Sequence, residues 1–195
     1  TDTTGAESLP SFDKIRISGR DHEQPIVIFP QSEDIAAASP LKYYSYYMSE
    51  PQEAGVTSKL ADNYLTPLAN LSATGFAAVN PTDEELQKYG MDQPIELRFW
   101  IEGKKTTLLI GNVDDSTAYV MFEGGKVIYK VDAANIALAT TKAFDLRDTL
   151  MFLCDISTVK SFEFTDNTGK VYTIEQQRTE KVSSSSADTS SESAV

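Results

Sequence analysis

The stretch 81–100, "PTDEELQKYGMDQPIELRFW", sets a helix start, a helix stop and a strand side by side. Thr82 and Glu85 have the spacing of a capping box, in which hydroxyl and carboxylate each accept from the other residue's backbone N–H. Asp83, Glu84 and Glu85 add negative charge at the positive end of the helix dipole. Gly90 stands where a helix ends on a left-handed residue, and Pro94 bars continuation. The spacing predicts a helix over 83–89, too short to persist alone in water, so Leu86 and Tyr89 must dock it. Asp92 lies between the two stops and can brace the turn by a side-chain-to-backbone bond. Beyond Pro94 the chain alternates, with Ile95, Leu97, Phe99 and Ile101 on one face and Glu96, Arg98, Trp100 and Glu102 on the other. That is the pattern of a half-buried antiparallel strand.

Working outward, the segments 12–18 and 25–29 alternate on either side of the polar "GRDHEQ", which predicts a hairpin over 12–29. "LKYYSYYM" at 41–48 is dense in Tyr and predicts a third strand. Leu60, Tyr64, Leu68 and Leu71 recur at helical spacing, with Thr57 or Ser58 as cap, Pro67 as a kink and Gly75 as the stop. The segments from 104 to 175 supply five more strands, separated by hairpin turns at Gly124–Gly125 and at "DNTGK". A helix fits 133–144, capped by Asp132. The expected fold is α+β: a largely antiparallel, twisted sheet of about eight strands, two longer helices and one short docked helix. Residues 1–10 read as a flexible lead-in, 11–155 as one α+β unit, and 178–195, rich in Ser, as a disordered tail. The pair of strands within 156–177 repeats the pattern of the first hairpin and suggests the start of a second, tandem copy.

Composition removes several function classes. Among 195 residues, 17 Lys and Arg face 29 Asp and Glu, for a net charge of −12 and a pI near 4.5. Such a field repels phosphate backbones, so nucleic acid is not an expected partner. Cys154, the single cysteine, lies in an apolar run and reads as an inert buried thiol. No apolar run reaches the roughly 18–20 residues of a membrane span. The chain begins at Thr1 rather than Met, so the expectation is that an anchoring N-terminal segment precedes it.

The order of these features resembles the domain-of-unknown-function family 4340. The resemblance rests on Tyr89-Gly90-Met91-Asp92-Gln93-Pro94 after an acidic short helix, with Met91 where the family usually has Leu. Leu109-Ile110-Gly111, Ala118-Tyr119-Val120 and Arg147-Asp148 follow in the family's order, and the likeness spans roughly residues 12–175. It implies an α+β domain, often in tandem, on membrane-anchored or exported bacterial proteins, some beside auxiliary parts of ABC-type transporters. It carries no catalytic residues.

Dense carboxylates occur at Asp114–Asp115 and at Asp83–Glu85, in loop and helix-start positions where solvation or capping explains them. No nucleotide-binding, nucleophile-elbow or metal-ligand spacing is present, so neither catalysis, cofactor nor metal is expected. Tyr43, Tyr44, Tyr46, Tyr47 and Trp100 are the candidate binding residues, because exposed Tyr and Trp bring large contact area at low entropic cost. Thr82, Glu85, Tyr89, Gly90, Asp92, Pro94 and Gly111 form the structural motif. The expected function is a non-catalytic, extracytoplasmic interaction module of the bacterial envelope that meets a protein partner, with its oligomeric state open. A small-ligand or glycan receptor, and a carboxylate hydrolase joining Asp114 or Asp115 to Asp92 or Glu85, are the alternatives.

Overall fold

The computed structural model describes residues 11–33, 39–149 and 159–175. The chain divides into two compact units, Thr1–Met151 and Phe152–Val195.

The first unit is built on a nine-stranded antiparallel sheet. Its strands are β1 (Lys14–Gly19), β2 (His22–Pro30), β3 (Tyr46–Glu50), β4 (Ala54–Gly55), β5 (Ala73–Val79), β6 (Ile95–Ile101), β7 (Lys104–Val113), β8 (Thr117–Phe122) and β9 (Val127–Asp132). They lie in the order β4-β3-β2-β1-β6-β7-β8-β9-β5, so β1 and β6 join an N-terminal hairpin region to the later meander. The strand predicted from the opening stretch is central, with Leu97 paired to Ile17 on one side and Leu108 on the other. Glu102 and Gly103 both have positive φ, at 50° and 72°, and close β6 onto β7 as a two-residue turn of the kind that matches strand twist. The first unit is a mostly antiparallel sheet with few helices, which fits the α+β class, with nine strands rather than about eight.

The main core lies on one face of this sheet. Ile15, Ile17, Ile28, Met48, Leu97 and Ile110 line it, each 1% exposed or less. Short helical segments cover it through Leu60, Leu65, Leu68, Ile136, Leu138 and Leu146. Burying each such side chain contributes about 1.5–3 kcal/mol, so many short covering segments can replace two long helices.

Those segments correct the helix expectations. The first covering helix begins as a π turn over Ala61–Leu65 and becomes α1 only at Thr66–Ala69. Pro67 lacks an N–H and its ring crowds the carbonyl four residues back; the widened turn bonds the Thr66 N–H to the Ala61 carbonyl instead. The helix ends at Asn70, whose side chain donates to the Thr66 carbonyl at 2.9 Å, and Gly75 lies inside β5. The expected helix 133–144 is a 3-10 turn (Ala133–Ile136), then α3 (Ala137–Thr140) and α4 (Ala143–Leu146). Asp132 does cap it, accepting from the Ala134 N–H at 2.9 Å. Both the Thr140 and Thr141 hydroxyls bond the Ala137 carbonyl, a local competition that ends α3.

Strand 41–48 is also shorter than expected. Ser39 accepts from the Leu41 N–H at 3.2 Å and Pro40 opens a 3-10 turn over Pro40–Tyr43, so pairing begins at Tyr46. Strand β5, "ATGFAAV", was not expected. It is an edge strand in which four of seven residues are Ala or Gly, with two register shifts against β9.

The second unit contains one described hairpin, β10 (Ser161–Thr165) and β11 (Val171–Glu175). Asp166 closes its turn by accepting from the Thr168 and Lys170 N–H groups at 2.8 and 3.0 Å. The Phe164 and Tyr172 rings stack at 5.0 Å, and Phe162 and Ile174 pair beside them. Cys154 and the expected tail 178–195 lie outside the described residues.

Candidate functional site

Helix α2 (Asp83–Lys88) docks on the opposite face of the sheet from the main core. Both halves of its capping box form: Glu85 Oε2 accepts from the Thr82 N–H at 2.9 Å, and Thr82 Oγ1 from the Glu85 N–H at 3.3 Å. At its other end the Gly90 N–H bonds the Gln87 carbonyl and the Met91 N–H the Leu86 carbonyl, the double bond of a Schellman stop. Gly90 has φ +73°, which this stop requires. Leu86, Tyr89 and Met91 pack against Ala78, Ile128, Leu109 and Tyr119 as a second, smaller cluster. The Tyr89 hydroxyl donates to the Ala77 carbonyl at 3.3 Å, and its ring lies 4.8 Å from that of Tyr119.

Two separate sequence motifs meet here. The Asn112 N–H donates to the Tyr89 carbonyl at 2.8 Å, and the Asn112 amide donates to the Lys88 carbonyl at 3.0 Å. Arg20, from the β1–β2 turn, donates to the Gly111 carbonyl at 2.6 Å and to Asn112 Oδ1 at 3.4 Å. Pro94 lies against Gly19, where a Cβ would come within 2.4 Å of the Pro94 carbonyl oxygen. The "YGMDQP" turn and the "LIGN" strand end are thus one backbone-to-backbone junction. Asp92 does not brace it: the residue is exposed and has no side-chain hydrogen bond among the described residues. Asn112 and Arg20 hold the turn instead, because their donors reach the carbonyls left open at the end of α2 and at Gly111.

The five candidate binding rings do not converge. Tyr43, 44% exposed, sits in the 3-10 turn with the Lys42 ammonium over it at 4.7 Å. Tyr44 lies over Gly55, and burial, with the Asp148 charge adding, pushes its phenol above the ordinary value. Tyr46 packs into the main core. Only Tyr47 and Trp100 remain on the face opposite that core. Tyr44 and Tyr46 do not share a strand face, because the strand begins only at Tyr46.

On that opposite face the pleat sets up a row across four strands. Tyr47 pairs with Phe29, with rings stacked at 5.6 Å. The Lys14 ammonium lies over both Phe29, at 5.4 Å, and Trp100, at 5.1 Å, and Lys14 and Trp100 are paired across β1 and β6. Trp100 is paired in turn with Lys105. Two residues further along the strands runs a second row: Val27, Arg16, Arg98 and Thr107. Arg98 binds Glu96. Arg16 has no hydrogen-bond or ion-pair partner among the described residues, and the Nε atoms of both arginines are buried without one. Lys105 binds Glu123 at 3.2 Å and is the main cause that holds this carboxyl below its usual range, with Thr107 and Arg98 adding. Lys14, Arg16, Arg98 and Lys105 against Glu50, Glu96 and Glu123 leave these rows with a small positive excess on a chain of net charge −12. The alternation of 95–102 placed Arg98 and Trp100 on this face; what was missed was Arg16 beside Arg98, because it is visible only from the β1–β6 register.

The carboxylate candidates are engaged elsewhere. Asp114 accepts from the Ser116 and Thr117 N–H groups at 3.0 and 2.7 Å, and these bonds hold its carboxyl below the ordinary value. Glu85 serves the capping box. No group of three or more His, Cys, Asp or Glu among the described residues could hold a metal ion. One depression of about 290 Å³ is formed by Asp21, His22, Glu23, Lys142 and neighbours, another of about 260 Å³ by Leu71, Leu108, Val120, Phe122 and neighbours. Neither includes Trp100 or any of Tyr43–Tyr47. No described helix is long and apolar enough to cross a membrane.

The family model described as Domain of unknown function (DUF4340) matches residues 48–194. The match starts within β3, so the β1–β2 hairpin lies before it although that hairpin pairs with β6 in the sheet. Comparison with curated proteins and with solved structures finds no match.

Proposed function

The chain belongs to the DUF4340 family, and we propose that it is a non-catalytic interaction module that presents the outer face of its sheet to a protein partner. The observation that carries this reading is the Tyr47–Phe29–Lys14–Trp100 row. These side chains are half-exposed, and the ring and cation contacts they make among the described residues are with one another. Aromatic side chains held this way are pre-ordered, so little entropy remains to be lost when a partner covers them. The engagement of Asp114 and Glu85 with backbone donors supports a non-catalytic role. Dispersal of the Tyr43–Tyr47 rings argues against the glycan-receptor alternative.

The setting proposed is the extracytoplasmic side of a bacterial membrane, tethered by an N-terminal anchor and linked to an ABC-type transport assembly; the family resemblance motivates it. Fractionation of cells expressing the native protein tests the setting, and recovery with soluble cytosolic proteins would remove it. Cross-linking from a photoreactive residue placed at Tyr47 tests the face. Adducts lost on Trp100→Ala and Phe29→Ala support the reading, and adducts indifferent to both substitutions end it.

A further inference from the structure

Arg16 and Arg98 face each other across β1 and β6 on the same side of the sheet. Like charges set directly opposite in a sheet are destabilising, and only Arg98 has a carboxylate. Glu96 occupies Arg98, Glu123 occupies Lys105, and Glu50, beyond Val27 in the same row, makes no ion pair with Arg16. One guanidinium, with its fork of donors, is therefore left without an anion among the described residues.

We propose that this row receives a carboxylate side chain from an extended acidic segment of the partner protein, with Arg16 as its principal ligand. The inference rests on the interaction-module reading. Guanidinium geometry matches a carboxylate bidentately, and Arg98 is placed to add charge from the neighbouring strand. The aromatic row two residues away, roughly 7 Å along the strands, supplies apolar ground for the residues flanking that carboxylate. Tyr47, Phe29, Lys14 and Trp100 span four strands, roughly 14 Å, which an extended segment of about four or five residues crosses. A lone small anion would use the arginines and leave that row idle; a peptide uses both. The net charge of −12 does not forbid an acidic partner. At physiological salt, charges beyond about 8 Å are largely screened, so the residues in contact decide.

Trp100 is the only tryptophan in the chain and lies beside the site, so its fluorescence reports occupancy. The full chain is titrated with a synthetic peptide of alternating Glu and Phe, with the same peptide carrying Gln for Glu, with inorganic phosphate, and with anionic phospholipid vesicles. The expected result is a saturable Trp100 shift with the Glu peptide only. It weakens with added salt and falls roughly tenfold in affinity in Arg16→Ala, while Arg16→Lys retains part of it. Far-ultraviolet circular dichroism checks that each variant is folded. Equal binding of the Glu and Gln peptides overturns the carboxylate inference and leaves the interaction face standing. A response to phosphate or to vesicles that matches or exceeds the peptide's overturns the choice of occupant. No saturable shift with the Glu peptide overturns the inference, and the Tyr47 cross-linking result then decides separately whether the face meets a protein at all.

Discussion

A Cβ on Gly111 would lie 2.0 Å from the carbonyl oxygen of Tyr89. The obstacle is backbone, and that carbonyl is fixed by the Asn112 N–H at 2.8 Å, so it has little room to retreat. Helix α2 can sit on strand β7 only because residue 111 has no side chain.

Gly111→Ala is therefore expected to destabilise the domain by about 2–3 kcal/mol, the scale of overpacking against a constrained neighbour. Gly75→Ala is the control. Gly75 is also in a strand but has nothing within 4 Å of the added carbon, so its effect should stay within about 0.5 kcal/mol. Urea unfolding of the two variants checks the difference, and equal midpoints would refute the close-approach account.

How much of this was readable beforehand follows from the range of the interactions involved. The capping box, the stop at Gly90 and the alternation of 95–101 are local, and each has one physical interpretation in sequence. Pro67 was legible as a disturbance but not as a π turn, since the outcome depends on which carbonyl the displaced N–H finds. β5 was hidden because Ala and Gly residues have little strand preference, and pairing with β9 holds them. Arg16 beside Arg98 was hidden for another reason. The residues are 82 positions apart, and only the register of β1 on β6 sets them opposite each other.

Thr82→Ala removes the hydroxyl that accepts from the Glu85 N–H, while the backbone N–H of residue 82 still donates to the Glu85 carboxylate. The expected cost is about 1 kcal/mol. Thr82→Ser keeps the acceptor and should recover most of it. Because α2 is docked by few residues, hydrogen exchange at the Leu86 and Tyr89 amides should speed up more than at Leu97 in the central strand.

Glu102 has φ +50° beside Gly103, in a turn whose two central positions both favour Asn or Gly. Glu102→Asn is expected to raise stability by about 0.5–1 kcal/mol, since Asn tolerates the left-handed region better. The side chain is exposed, so no packing is lost. A thermal midpoint unchanged or lowered would contradict the turn assignment.

Asp114 titrates with a defined sign. The Ser116 and Thr117 N–H groups favour its charged form and lower its pKa in the folded chain below the ordinary value of 3.8. Its contribution is present above that ordinary value and is lost as pH falls through the folded one. Carbon-detected titration of the carboxyl should show a midpoint below 3.8. In Asp114→Asn, the acid dependence of stability should be shallower in that window.

Arg16 should separate stability from binding. Removing one of two facing cations relieves repulsion, so Arg16→Thr, which suits a strand, is expected to stabilise the unliganded chain by about 0.2–1 kcal/mol. The gain should shrink in high salt, where the repulsion is screened. The same variant should weaken the Trp100 response to the acidic peptide as Arg16→Ala does. A residue retained for packing would show the opposite pattern, with stability lost and the response kept. Arg98→Thr tests the pairing from its other side: it leaves Glu96 without its cation, so it should not give the same gain. Chemical unfolding at two salt concentrations, run alongside the peptide titration, distinguishes the two accounts.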